Sequence, residues 1–256
     1  MTGDGTNKTV ADRLYHDPQL AEFYDLENQW GPDSDYCLAL AAPAHAVLDL
    51  GCGTGRLTAA MVTDECAVFG VDPAAAMLDI ARARPGGELV TWIKADAREL
   101  RLGLRFDLVV LTGHAFQVFL NDSDQSAVLE TIAAHLTPQG RFVFDSRNPA
   151  AEEWRTWTPE ASRHLLKHPR YGEIKAWNTV RSDPHTDNIT YETHYIVLST
   201  GQKFSAQSDI RFTPHEKLAA MIEEAGLEVD RWLGDWSGSD LAANSPELIP
   251  LGRLRA

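Results

Sequence analysis

The 256-residue sequence has only three cysteines, Cys37, Cys52 and Cys66, and no two are spaced C-x-x-C. That excludes a disulfide framework and suits a reducing compartment. Basic charge is also scarce: 23 Lys and Arg stand against 37 Asp and Glu, a net −14. A chain this acidic repels phosphate backbones. Its densest basic stretch, Arg163 to Arg170, is flanked by acids, so nucleic acid is not an expected partner. Long apolar runs are missing too. Leu38 to Leu50 is broken by Pro43, His45 and Asp49 and is too short to span a bilayer. The opening MTGDGTNKTV is polar, so the sequence predicts neither a secretory leader nor a membrane partner, and a cytoplasmic location. It contains no repeat and no low-complexity tract.

What is present is enough apolar residue, 44%, for one ordinary domain with additions. From residue 46 onward, strand and helix patterns alternate. AVLDLGCGTG (46–55) reads as a buried strand entering a glycine loop, followed by the helix RLTAAMVT. AVFGVD (67–72) is a second strand and PAAAMLDIARAR a second helix, with Pro73 in its first turn. LVTWIKAD (89–96) and the near-continuous apolar FDLVVLTG (106–113) are further strands. SDQSAVLETIAAHLTPQG (123–140) reads as a helix closed by Pro and Gly, and RFVFDSRN (141–148) as a fifth strand. Alternation at this spacing predicts an α/β fold with a doubly wound, mostly parallel sheet.

Two segments fall outside that alternation. Residues 1–45 open polar and then show two helical patterns, with Pro18 and Pro32 near helix starts. Residues 151–212 carry balanced charge and turn to period two: Ile189, Tyr191, Thr193, Tyr195 and Val197 share one face, and Phe204, Ala206, Ser208 and Ile210 another. This predicts an inserted antiparallel meander of three strands, with SDPHTDN as a separating turn. TPHE (213–216) has the form of a capping box with Thr213 as cap. The helix it opens is followed by two closing strands, 227–234 and 247–255. The expected division is a helical cap (1–45), a core (46–150 and 213–256) and a β insertion (151–212) that is either a lid or a dimer interface.

The informative stretch is Asp49-Leu50-Gly51-Cys52-Gly53-Thr54-Gly55. Alternate glycines let backbone approach a ligand and adopt positive φ. The loop falls between a strand and a helix N-terminus, where doubly wound sheets bind nucleotides. Asp72, at the end of the next strand, is placed to accept hydrogen bonds from ribose hydroxyls. A dinucleotide fingerprint needs glycine at position 56, where this chain has Arg56, so the pattern favours a nucleoside without a pyrophosphate.

VLDLGCGTGRLT, VDPAAAMLDIARAR, KADAREL, FDLVVLTGHAF and LTPQGRFVFD resemble the successive motifs of class I S-adenosylmethionine-dependent methyltransferases. The likeness covers residues 46–148 and resumes at 213–256. It implies a Rossmann-like, seven-stranded sheet with an antiparallel closing hairpin, and S-adenosylmethionine as cofactor with S-adenosylhomocysteine as product. It also implies roles by position. Asp49 and the loop Gly51, Cys52, Gly53 and Gly55 would hold the methionine end, and Asp72 the ribose, with Pro73 and Met77 lining the adenosine. Asp96 and Ala97 would read the adenine edge, and Leu111, Thr112 and Gly113 would pass beside the sulfonium. Tyr15 or Tyr24 from the cap would close over the cofactor, with Tyr24 assigned to the cofactor side and Tyr15 to the substrate side. Similar enzymes acting on metabolites, including amino-sugar and glycine N-methyltransferases, carry additions over the strand ends.

Methyl transfer by in-line displacement needs alignment and exclusion of water more than it needs acid–base groups. Residues after the fourth and fifth strands are therefore candidates. His114 reads as a base, a substrate donor or a satisfied loop histidine. Gln117, Asp145, Arg147 and Asn148 are candidate substrate residues, with a structural ion pair or cap as the other reading of Asp145 and Arg147. His164 and His168 have metal-ligand spacing but no evident third ligand, so no metal is expected. The resulting expectation is a methyltransferase acting on N or O of a small polar metabolite, working as a monomer or homodimer. The alternatives are a catalytically silent cofactor-binding or assembly module, or a nicotinamide-dependent oxidoreductase.

Overall fold

The computed structural model describes residues 13–182 and 186–255. The polar opening before residue 13 and the centre of the SDPHTDN turn lie outside the described residues. Helices α1 (Arg13–His16), α2 (Pro18–Glu27) and α3 (Pro32–Ala41) come first. The Asp17 carboxylate accepts the Gln19 N–H at 3.0 Å to start α2, with Pro18 where no N–H is needed. The alternating region follows as β1 (Ala46–Leu50), α4 (Arg56–Ala60), β2 (Ala67–Asp72), α5 (Ala75–Ala83), β3 (Thr91–Lys94), β4 (Phe106–Leu111), α6 (Asp122–His135) and β5 (Leu136–Phe144), with a short β6 (Ser146–Arg147). Strands β7 (His164–His168), β8 (Gly172–Ser182), β9 (Asn188–Val197) and β10 (Lys203–Arg211) form the insertion, and α7 (His215–Glu224), β11 (Leu227–Leu233) and β12 (Glu247–Leu254) close the chain.

The main sheet runs β11-β12-β5-β4-β1-β2-β3, with β6 paired to β12. β3, β2, β1, β4 and β5 are parallel, and β12 alone is reversed, pairing antiparallel with both β5 and β11. Both faces are covered, which is why β1 and β4 are apolar almost throughout. One face packs Leu48, Val109, Phe142 and Phe144 against α6 and α7, through Val128, Ile132, Leu218 and Ile222. The other packs Val47, Leu108, Val110 and Val143 against Cys37 and Ala41 of α3. The expected cap therefore divides: α3 belongs to the layer covering the sheet, and α1 and α2 remain as the cap.

Several expectations are corrected. The insertion has four strands, not three, in the order β10-β9-β8-β7; the basic HLLKH segment forms the edge strand β7, and its irregular polarity hid it. The helix expected over 123–140 stops at His135. Leu136 already pairs with Phe106, and residues 137–140 bulge outward before Arg141 rejoins the ladder opposite Leu108. Pro73 lies outside α5, whose N-cap is Ala74. Thr213 does not cap α7: its hydroxyl donates to Gln125 Oε1 at 2.9 Å, and Pro214 takes the cap position.

The inner face of the meander is shared between two neighbours. Leu20 and Phe23 of α2 pack on Ile174, Ala176, Tyr195, Val197 and Ala206. Trp154 and Trp157 pack on Ile189, Ile210 and Phe212. Phe23 stacks on Tyr195 with ring centroids 4.4 Å apart.

Candidate active site

The loop after β1 is built as its glycines require. Gly51, Gly53 and Gly55 have φ of 69°, 54° and 72°, values that a side chain resists. The N–H groups of Gly51 and Cys52 donate to the Val71 carbonyl at 2.8 and 3.0 Å. Gly53 N–H donates to Asp72 Oδ2 at 2.9 Å. The loop is thus sewn to the end of β2. A methyl on Gly51 would stand 3.0 Å from Ala115 Cβ, so the loop also abuts the turn after β4. At Gly53 the nearest atoms belong to Tyr24, at 3.6 Å or more, leaving the backbone open there.

Three acids are buried at the strand ends: Asp49, Asp72 and Asp145. Asp49 accepts from the Thr58 hydroxyl at 2.6 Å. Burial, with the Asp72 charge added and the Thr58 hydroxyl opposing, pushes its carboxyl up to about 7. Burial also raises Asp72, against the pull of the Ala74 and Gly53 N–H groups. Asp145 is raised by burial and lowered by His114. Among the described residues, none of the three has a Lys or Arg within ion-pairing distance. Buried acids without a countercharge suit a ligand that brings positive charge and hydroxyl donors.

Tyr24 stands over this loop. Its hydroxyl lies 3.6 Å from where a methyl on Gly113 would sit, and its ring borders Gly53. Burial and the facing charges of Asp72 and Asp145, with Tyr191 beside them, hold its hydroxyl protonated. Tyr15 meets Tyr24 edge-on, with centroids 6.0 Å apart, and both pack with the buried Met77 of α5. Pro73 is exposed between Asp72 and α5, and Ala97 is buried in the core that also holds Val71 and Leu100. Asp96 is engaged locally: Arg98 donates to both its oxygens, at 3.0 and 2.6 Å, and bridges to Asp124. The Cys52 thiol is raised well above its ordinary value by burial, which disfavours a thiolate.

Leu111 ends β4 in the core, and Thr112, Gly113 and His114 turn away from it. Gly113 and His114 both have positive φ, and the His114 N–H is held by Asp145 Oδ1 at 2.9 Å. Its Nε2 lies 2.9 Å from Glu247 Oε1 and 3.8 Å from Asp145 Oδ2. Gln117 is fully buried; its amide donates to the Arg211 carbonyl at 2.8 Å and its oxygen accepts from Arg147 at 3.0 Å. Arg147 also pairs with Glu153 at 3.0 Å and lies over the Trp157 ring. Asn148 is drawn away into structure, capping Ala150 and donating to the Ser245 carbonyl. His164 and His168 lie on β7, next to Glu27 at 2.9 Å and Glu22 at 3.6 Å of α2.

Sequence reasoning missed Asp25, Glu247 and Tyr191. Asp25 accepts from the Thr54 hydroxyl at 2.6 Å and pairs with Arg56 and Arg84. The run of acids in the N-terminal segment was a signal for Asp25. Glu247 had none, since only the β6–β12 pairing places it opposite Arg147.

Comparison with known proteins agrees with this geometry. Residues 47–140 match the family described as methyltransferase domain. The dTDP-3-amino-3,6-dideoxy-alpha-D-glucopyranose N,N-dimethyltransferase of Streptomyces fradiae is 27% identical over 94% of this chain and 96% of that protein. The cypemycin N-terminal methyltransferase of a Streptomyces species is 24% identical over 94% of this chain and 98% of its own length. In fold, the CcbJ methyltransferase from Streptomyces caelestis superposes with a TM-score of 0.74, at 23% identity over 91% of this chain and 95% of that one. The open glycine backbone and the uncompensated buried acids fit a nucleoside carrying a sulfonium and an amino group. Residues 47–140 thus match a methyltransferase domain, and the chain is similar over nearly its whole length to S-adenosylmethionine-dependent methyltransferases.

Proposed function

We propose that the enzyme methylates a nitrogen of a small polar amine held beneath α2 and the meander. The observation that supports this most is the acidic wall of Asp145 and Glu247 around His114. Such a wall attracts an ammonium group and repels a phosphate or carboxylate at the same place. Of the curated relatives described above, one is named an N,N-dimethyltransferase of an amino sugar and the other an N-terminal methyltransferase.

When bound, S-adenosylmethionine supplies a methyl group on an already activated sulfonium. Asp49 and the backbone of Gly51, Gly53 and Gly55 would hold its amino-acid end, and Asp72 its ribose. Met77 and Pro73 would line the adenosine, with Ala97 and Asp96 at the adenine edge and Leu111 to Gly113 near the sulfur. Tyr24 closes the loop from above, and α2 and the meander exclude water. Arg147, fixed by Gln117, Glu153 and Trp157, orients the acceptor. His114 sits where an acceptor proton can be taken.

The test is transfer of an isotopically labelled methyl group to matched panels of amines and alcohols, with mass spectrometry locating the label. Labelled nitrogen is expected. Label on oxygen alone overturns the reading.

A further inference from the structure

We infer that Glu247 is a positioning residue for methyl transfer, holding the proton of His114 on Nε2 so that Nδ1 is the atom that accepts a proton from the bound amine. The inference rests on the acceptor being an amine, as proposed above. Its ground is the way three chain segments converge. One residue beyond β4, after Thr112, come two successive left-handed residues, Gly113 and His114, the latter with φ of 59°. That backbone is uncomfortable for a residue with a Cβ, and the buried Asp145 holds it by accepting the His114 N–H at 2.9 Å. β12 begins at Glu247, directly opposite Arg147 of β6. This register brings Glu247 Oε1 to 2.9 Å from His114 Nε2.

Nε2 therefore meets two carboxylates, Glu247 at 2.9 Å and Asp145 at 3.8 Å. Ionised carboxylates only accept, so Nε2 carries a hydrogen, and in the neutral ring Nδ1 then holds the lone pair. Nδ1 makes no hydrogen bond among the described residues and is not among the buried unpartnered atoms. The other Glu247 oxygen is buried with no partner, so this carboxylate is committed to the histidine and not to a surface ion pair. The remaining charges nearby act through Asp145: Arg147 opposes its negative charge, and Tyr24 faces it.

In the step this serves, an ammonium acceptor loses one proton. Its N–H bond breaks, an Nδ1–H bond forms, and the lone pair freed on nitrogen would bond to the methyl carbon as the methyl–sulfur bond breaks, its electron pair staying on the sulfur of S-adenosylhomocysteine. The imidazolium created is balanced by Glu247 and Asp145, and its proton leaves to solvent afterwards. A histidine with the opposite tautomer would present N–H to the acceptor and block this transfer.

Long-range proton–nitrogen NMR on labelled protein with S-adenosylhomocysteine bound tests this without any knowledge of the acceptor. The His114 signals are assigned by their loss in His114→Gln. The expected result is hydrogen on Nε2, bare Nδ1, and an Nε2–H exchanging at least about tenfold more slowly than that of an exposed histidine, the effect of one charge-assisted hydrogen bond. Glu247→Ala should lose that protection while keeping its affinity for S-adenosylhomocysteine, and Glu247→Gln, whose amide oxygen also accepts, should restore it. Hydrogen on Nδ1 in the wild type overturns the inference, and so does unchanged protection in Glu247→Ala. Should the alanine variant not fold, the wild-type tautomer still decides. Label found only on oxygen in the acceptor panels would sink the amine reading instead, whatever the tautomer.

Discussion

Arg56 ties the cofactor loop to the cap through Asp25: its guanidinium lies 3.3 Å from Asp25 Oδ1 and donates to the Asp25 carbonyl at 2.9 Å and the Asn28 carbonyl at 2.8 Å. The residue that breaks the dinucleotide pattern is thus the one that caps the C-terminal carbonyls of α2. Arg84 and the Thr54 hydroxyl meet the same carboxylate. Arg56→Ala should loosen the cap by about 1 kcal/mol, the scale of a partly exposed pair with added carbonyl contacts. Limited proteolysis between α2 and α3 should become faster, and calorimetry should show weaker binding of S-adenosylhomocysteine. Unchanged proteolysis would mean that the cap is held by the meander alone.

Asp49, in its proposed role at the cofactor's amino-acid end, should make cofactor binding depend on pH. Its carboxyl sits near 7 in the free protein, and a cationic ligand group favours the ionised form. Binding should therefore release a proton below about pH 7, and affinity should fall by up to tenfold per pH unit on the acid side. Calorimetry in buffers of different ionisation enthalpy measures the proton directly. The same group costs stability: its folded value is raised, so stability is fullest below the unfolded value and is lost as pH rises through about 7. Asp49→Asn should unfold at higher temperature than wild type at pH 8, by on the order of 3–4 kcal/mol at most, while losing cofactor.

Two glycines two residues apart should fail in different ways. A methyl on Gly55 would run into the Trp92 ring and lie 2.8 Å from Ala81 Cβ, so Gly55→Ala should destabilise the fold by roughly 1–3 kcal/mol through overpacking alone. Gly53 has room, its nearest neighbour being the Tyr24 ring at 3.6 Å. Gly53→Ala should fold, at a strain of about 1–2 kcal/mol, and lose cofactor affinity. Thermal melts paired with calorimetry separate the two; equal melting losses would refute the distinction.

Asp72 holds the Gly53 and Ala74 N–H groups, in addition to its proposed role at the ribose. Asp72→Ala should therefore cost about 1–3 kcal/mol of cofactor binding and some stability too. Asp72→Asn, whose amide oxygen can replace one acceptor, should keep more of the fold than of the affinity. A folded Asp72→Ala protein with unchanged affinity would remove the ribose assignment.

The alternating core was legible because its signals are local: apolar strands of the right length, glycines at a strand end, an acid closing each of two strands. Element ends were less so. The bulge at 137–140 depends on where Arg141 pairs, and β7 is an edge strand whose exposed Leu165 and buried His168 invert the usual pattern. At the candidate site, His114 and Asp145 could be found because they follow strands. Glu247 could not, because it acts through a sheet register far away in sequence, and Asp25 was one of a run of acids that only the docking of α2 singles out.

Phe23 is fully buried among Tyr195, Tyr171, Phe204 and His168 of the insertion, and two residues later Asp25 grips the glycine loop. Acceptor preference in this enzyme is therefore not portable as a single cassette. A chimera that exchanges 151–212 with a relative while keeping the native α2 strands Phe23 against a foreign surface, and the loop loses its clamp along with it. Swapping residues 13–28 together with the insertion, discontinuous in sequence but joined through Phe23, keeps that junction, and the graft must also carry an acid at position 25 to meet the native Thr54, Arg56 and Arg84.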